Sequence, residues 1–169
     1  KGTGLGLATV KSLIAAHGGG VEVKSDTTGT AFSIYLPVSE KKKPTTVFDG
    51  RGKTVLLVDD TEFLRSWLRL VLVECNYNVL EAACGSEAMN LFVRQIEETD
   101  VLVTDLSMPL MTGNQLTRVL RELKPNLPVI YITGFASGGI AQDPEPNAVL
   151  HKPFPKEALL GELARVLPE

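Results

Sequence analysis

Over the last two thirds of the chain, apolar positions follow two alternating rhythms. Short unbroken runs come at Val55-Leu56-Leu57-Val58, Val101-Leu102-Val103-Thr104, Val129-Ile130-Tyr131-Ile132 and Ala148-Val149-Leu150-His151. Each has the length of a buried strand and is too short for a helix. Between them apolar residues recur at three- and four-residue spacing, as on one helix face. The sets are Leu64, Leu68, Val71, Leu72, Cys75; then Ala88, Leu91, Phe92, Ile96; then Leu116, Val119, Leu120, Leu123; and last Leu160, Leu163, Leu167. Asn78 to Ala82 is the least apolar strand candidate, which suits a sheet edge. Strand and helix signals alternate five times over 53–169, predicting a doubly wound α/β domain with a five-stranded parallel sheet. An edge position for the second strand favours the order 2-1-3-4-5, placing the first and third strands side by side at the switch point.

Local signals support these elements. Thr112 and Gln115 have capping-box spacing ahead of the third helix, and Pro155 suits the first turn of the last. The stretch Gly138-Gly139-Ile140-Ala141-Gln142-Asp143-Pro144-Glu145-Pro146 holds too many breakers for a full helix, so a fourth helix is expected to be short or irregular.

The first 38 residues keep a different pattern. Leu7, Val10 and Ile14 have helical spacing up to Ala16, and Gly18-Gly19-Gly20 supplies a stop. Val21 and Val23 then alternate with Glu22 and Lys24. Beyond the turn signal Asp26-Thr27-Thr28-Gly29, the residues Phe32, Ile34 and Leu36 alternate with Ala31, Ser33 and Tyr35 up to Pro37. A helix and two strands in roughly 40 residues are too few to stabilise a domain alone, so this piece is expected to lean on something else. Residues 39–52 lose all periodicity and read as a linker, giving the division 1–38, 39–52 and 53–169.

Composition narrows the function without naming it. The 169 residues carry a net charge of -3, and the one basic cluster, Lys41-Lys42-Lys43, reads as solvated linker, so no nucleic-acid partner is expected. No apolar stretch has membrane-spanning length and no signal peptide opens the chain, which predicts a cytoplasmic fragment without membrane contact. The absence of a starting methionine suggests a piece of a longer parent, whose membrane anchor can lie elsewhere. Cys75 and Cys84 lack metal-ligand spacing and are expected to be core thiols in a reducing compartment; His17 and His151 are isolated.

The candidate chemistry lies where the strand runs end. Asp59 and Asp60 follow the first run, Asp105 the third, Thr133 the fourth and Lys152 the fifth. In a parallel sheet these positions share the rim at which ligands bind. Taken singly, an aspartate after a strand is more often a turn former or helix cap, and a lone Lys-Pro or Thr-Gly says nothing. Together they converge. Carboxylates 4 Å apart repel by about 4 kcal/mol at an effective dielectric near 20, so a cation must join them. Oxygen ligands with room for water and phosphate suit Mg²⁺. With Lys152 added, such a site can receive a phosphoryl group, and a central carboxylate, Asp105, can be its nucleophile. Thr133 can bond a phosphoryl oxygen, and the Ser107 carbonyl can complete the metal shell.

These residues resemble the receiver domain of two-component signalling proteins: the Asp59-Asp60 pair, Asp105-Leu106-Ser107-Met108-Pro109 with Gly113 beyond, Thr133-Gly134 and Lys152-Pro153-Phe154. The resemblance spans about residues 53–168 and implies a flavodoxin-like fold. It also implies that Asp105 is the phosphoacceptor, and that Asp60, Asp105 and the Ser107 carbonyl ligate Mg²⁺, with Asp59 assisting through water. Thr133 and Lys152 would contact the phosphoryl group. The implied donor is a phosphohistidine on a kinase or phosphotransfer domain.

The opening segment resembles the end of a histidine-kinase ATP-binding domain. Gly2-Thr3-Gly4-Leu5-Gly6-Leu7 is similar to that family's second glycine box, His17-Gly18-Gly19 to its helix end, and Gly29-Thr30-Ala31-Phe32 with Leu36-Pro37 to its terminal strand. The chain then reads as the C-terminal fragment of a hybrid histidine kinase, with Gly2, Gly4, Leu5 and Gly6 as the remnant of the parent's ATP site. That family's asparagine box, first glycine box and phosphoacceptor-histidine helix have no counterpart here. The fragment is therefore expected to act as phosphoacceptor only, without ATP binding or autokinase activity.

Val149 stands three positions before Lys152, where receivers often carry an aromatic, which puts a threonine–aromatic switch in doubt. Two other functions compete with this reading. A docking module that regulates partners without phosphorylation has no need of the acidic set, and a haloacid-dehalogenase-like phosphatase would place an aspartate where Ser107 stands.

Overall fold

The structure is a computed structural model describing residues 10–11, 14–15, 18–27, 29–37, 48–134 and 144–167. Two compact units divide the chain, residues 1–46 and 47–169.

In the first unit, residues 10, 11, 14 and 15 are helical and the remainder of the predicted 7–16 helix lies outside the described residues. Gly18 ends the helix in the left-handed region, at φ 71°. Its N–H donates to Ala15 O and that of Gly19 to Ile14 O, both at 2.9 Å. Strands β1 (Gly20–Asp26) and β2 (Gly29–Tyr35) pair antiparallel, Val21 with Ile34 and Val23 with Phe32. Phe32 and Ile34 remain more than half exposed, as suits a piece too small to bury its own apolar face.

The second unit is the predicted α/β sandwich. Strands β3 (Thr54–Val58), β4 (Asn78–Ala82), β5 (Thr99–Asp105), β6 (Val129–Thr133) and β7 (Ala148–His151) are all parallel, in the order β4-β3-β5-β6-β7. This is the order 2-1-3-4-5, with the weakly apolar β4 at an edge. Helices α1 (Glu62–Glu74), α2 (Gly85–Arg94), α3 (Gly113–Leu123) and α4 (Lys156–Val166) connect and cover the strands.

Strand alternation splits the core in two. Val55, Leu57, Val101, Val103, Ile130 and Ile132 pack on one side with Leu68 and Leu72 of α1 and Leu159, Leu160 and Leu163 of α4. Leu56, Val58, Leu102 and Tyr131 pack on the other with Ala88 and Phe92 of α2 and Leu116 and Leu120 of α3. The three central strands are buried on both faces, which explains why their sequences run apolar without alternation.

Several expectations shift. Val119 and Leu123, assigned to the buried face of α3, are 36% and 53% exposed. The helix instead turns Gly113, Leu116, Thr117 and Leu120 inward. Thr117 is buried without penalty because its hydroxyl donates to Gly113 O at 2.8 Å. Pro155 is the cap residue of α4 rather than part of its first turn. Cys75 and Cys84 are both only half-buried: Cys75 packs against the core, and Cys84 is the N-cap residue of α2.

The stretch read as linker also ends earlier in space than composition suggests. Phe48 packs on the core and Gly50 is buried, its position hard against the Tyr77 ring, where a Cβ would lie 2.4 Å from the ring carbon. Most of the irregular stretch expected between β6 and β7 lies outside the described residues; 144–147 are non-helical. No helix among the described residues is long and apolar enough to cross a membrane.

Candidate functional site: an acidic pocket at the strand tips

Because β3 and β5 are neighbours and parallel, their carboxyl ends deliver Asp59, Asp60 and Asp105 to one place. One carboxylate oxygen from each lies within 4.8 Å of the others. Asp59 is fully buried, Asp105 nearly so, and Asp60 is exposed. The pocket thus has two carboxylates sunk among strand ends and a third facing solvent.

The buried pair is held by a dense set of bonds. Asp59 Oδ1 accepts from Thr61 N at 2.8 Å and Asp105 Oδ1 from Ser107 N at 3.0 Å. The other two oxygens share one ammonium. Lys152 Nζ donates to Asp105 Oδ2 at 2.6 Å and to Asp59 Oδ2 at 3.0 Å. Burial alone would push the Lys152 pKa down, but the bonds to Asp105 and Asp59 outweigh it, and the ammonium is held above its ordinary value. Three carboxylates and one ammonium leave two negative charges in the pocket. One divalent cation would cancel them.

The backbone around Asp105 is tightly folded. Gly113 N donates to Leu106 O at 3.1 Å, and a Cβ on Gly113 would stand 2.3 Å from Asp105 O. Only glycine allows the loop leaving Asp105 to return this closely. Thr133, buried at the end of β6, is tied to the lysine through the backbone, since Lys152 N donates to Thr133 O at 2.8 Å. Asp105 pairs with Ile132, so Thr133 lies one residue further along the neighbouring strand.

Of the residues singled out from sequence, Asp59, Asp60, Asp105, Ser107, Thr133 and Lys152 therefore gather at one rim. Gly2, Gly4, Leu5 and Gly6 lie outside the described residues. The structure adds Arg65, which sequence reading passed over. From α1 its Nη1 donates to the Asp59 main-chain carbonyl at 2.6 Å, while its Nε lies 4.0 Å from Glu81 of β4. An arginine on the first turns of an amphipathic helix reads as surface charge, and nothing in the pattern marks it.

A five-stranded parallel sheet whose central tips hold clustered aspartates beside a lysine is the architecture of a signalling receiver. Residues 55–164 match the response regulator receiver domain family, and the chain belongs to that family. It is similar to the sensor kinase CckA of Brucella abortus, 34% identical over 99% of this chain and 20% of the relative. It is also similar to the sensor protein EvgS of Escherichia coli, 31% identical over 98% of this chain and 15% of the relative. The response regulator receiver protein CpdR of Brucella abortus is 34% identical over 68% of this chain and 97% of its own length. The chain thus spans about a fifth or less of the sensor kinases it matches and nearly all of a stand-alone receiver.

Solved structures agree on the fold. The chemotaxis protein CheY4 of Vibrio cholerae superimposes with a TM-score of 0.62 at 32% identity, covering 69% of this chain and 99% of that one. A response regulator receiver protein from Sinorhizobium medicae gives 0.61 at 29% identity, covering 68% and 94%. The receiver is homologous to those of these sensor kinases, which is consistent with two-component phosphorelay signalling.

Proposed function

We propose that this receiver accepts a phosphoryl group on Asp105 with Mg²⁺ bound in the acidic pocket. One observation carries the reading: Lys152 bridges Asp59 and Asp105 while Asp60 faces solvent within reach of both carboxylates. The oxygens are hard donors, few in number and partly open, which fits a magnesium ion that keeps waters and takes a phosphoryl oxygen. Asp60, Asp105 and the Ser107 carbonyl would hold it, with Asp59 acting through water. When bound, the ion neutralises charge on the phosphoryl oxygens.

The protein's own residues supply the remainder. Asp105, oriented by Ser107 N, presents a carboxylate oxygen to phosphorus. The bond to the donor's imidazole nitrogen breaks as the Asp105 O–P bond forms, and the imidazole keeps the electron pair. Lys152 moves its hydrogen bond from the carboxylate to the incoming group, and Thr133 donates to a phosphoryl oxygen. The donor is a phosphohistidine on a kinase or phosphotransfer domain.

For residues 1–38 we infer the end of a histidine-kinase ATP-binding domain, which makes the parent a hybrid sensor histidine kinase. Similarity that runs through 98–99% of the chain in two sensor kinases supports this. The parent's kinase reaction uses ATP, whereas this fragment is a phosphoacceptor.

The test is incubation with acetyl phosphate and Mg²⁺ followed by intact mass. Wild type should gain one phosphoryl group and Asp105→Asn none. Labelling that survives the substitution would refute Asp105 as acceptor; sustained phosphate release would favour the phosphatase reading.

A further inference from the structure

We infer that Arg65 is a positioning residue for the cation site, acting through the peptide that joins Asp59 to Asp60. This rests on reading the acidic pocket as a Mg²⁺ site and goes beyond the residues that reading uses.

The geometry is specific. Asp59 is anchored through its amide to Ala82 O at 3.3 Å, and through its carboxylate to Thr61 N and Lys152. Its carbonyl is held by Arg65 Nη1 at 2.6 Å. That carbonyl belongs to the same planar unit as the Asp60 amide, so fixing its direction fixes how the chain enters Asp60. Asp60 is the exposed carboxylate of the set and lacks the packing that immobilises its neighbours.

Arg65 is itself braced. Its side chain is only 16% exposed, and Glu81, opposite Leu57 in the sheet, lies 4.0 Å from its Nε. Arg69, one helical turn on, bonds the same Glu81 at 2.8 Å and has no bond to Asp59 among the described contacts. The two arginines share a counter-ion and a helix. Only one reaches the acidic peptide.

That difference gives opposite signs for two explanations. If Arg65 acted only as a positive charge near the pocket, its removal would strengthen cation binding. If it orients the Asp59–Asp60 peptide, removal weakens binding although the pocket becomes more negative. Outer residues that orient metal ligands typically change metal affinity by about 10-fold or more when replaced, and a shift of about 10-fold is expected here.

The experiment is Mg²⁺ titration by calorimetry on wild type, Arg65→Met, Arg65→Lys and Arg69→Met, with thermal unfolding in chelator as a check on folding. Arg65→Met keeps the aliphatic stem and should bind Mg²⁺ about 10-fold more weakly. Arg69→Met should match wild type or bind slightly more tightly. Arg65→Lys keeps the charge but cannot span both Glu81 and the carbonyl, so an intermediate affinity is expected. Equal or tighter binding by Arg65→Met overturns the inference, as does equal weakening by Arg69→Met, which would trace the loss to Glu81. If Arg65→Met does not fold, wild-type affinity in Arg65→Lys overturns it. Absence of binding by wild type itself would remove the cation reading, and this role with it.

Discussion

Lys152 Nζ lies 2.6 Å from Asp105 Oδ2, although 47 residues separate them in sequence. The same ammonium reaches Asp59, 93 residues away, at 3.0 Å. Lys152 is thus the counter-ion that lets two carboxylates be buried together. Replacing it with methionine leaves that pair unneutralised. We expect Lys152→Met to lose about 2–4 kcal/mol, toward the lower side for buried pairs because the lysine is 26% exposed. Mg²⁺ should restore more stability to the variant than to wild type. Urea unfolding with and without Mg²⁺ measures both, and a variant as stable as wild type in chelator would contradict the role.

The pH dependence follows from the same pair. Burial pushes the Lys152 ammonium toward neutrality, but Asp105 and Asp59 reverse this and raise its native pKa. The folded state therefore holds the proton where the unfolded chain has begun to release it. This contribution is complete below the ordinary lysine value of about 10.4 and is lost as pH rises through the higher native value. Tyr77, raised by burial, acts with the same sign, so wild type alone does not isolate the lysine. The slope of stability between about pH 9 and pH 12 should be shallower in Lys152→Met. Equal slopes would show that Asp59 and Asp105 do not hold the ammonium.

Gly113 sits where the loop from Asp105 closes. A methyl group there would meet the Asp105 carbonyl at 2.3 Å and the Leu106 Cα at 3.2 Å, and both are backbone atoms that cannot swing aside. Gly113→Ala should cost about 2–4 kcal/mol and displace Asp105, slowing acetyl phosphate labelling by about 10-fold. Unfolding and a labelling time course test the two effects separately. Unchanged values for both would mean the loop yields without moving the acceptor.

The two thiols should differ in reactivity. Burial raises the pKa of Cys75. The Ser86 hydroxyl, 3.1 Å from Cys84 Sγ, and then the Glu87 amide lower that of Cys84. At about pH 7.5 Cys84 should be alkylated about 5-fold faster or more, because the thiolate is the reacting form. Peptide mapping after a short iodoacetamide pulse reads the ratio, and a faster Cys75 would reverse the assignment.

Residues 48–52 should count as part of the folded receiver. Phe48 packs on the core, Gly50 N donates to Cys75 O at 2.6 Å, and Gly52 N donates to Asn76 O at 2.8 Å. A protein of residues 53–169 should be about 1–3 kcal/mol less stable than one of residues 48–169. Equal denaturant midpoints would return the segment to the linker.

What could be read in advance depended on how local each signal is. Strand order followed from one weakly apolar segment, Asn78 to Ala82, because an edge strand buries less. Val119 and Leu123 fall outside the buried face of α3, since helical spacing cannot say which of two adjacent stripes faces the sheet when a threonine can bond within its own helix. Cys84 was expected inside, but it caps α2, where polar groups and solvent meet it.

By itself the sequence determined the alternation of elements and the residue types at the strand ends, because both depend on short-range periodicity and parallel strands must end on one rim. Only the tertiary structure decided which lysine oxygen contacts form, that Arg65 grips the Asp59 carbonyl, and that Gly113 closes on Asp105. Those relations depend on distances set by packing between elements far apart in the chain, and no local pattern encodes them.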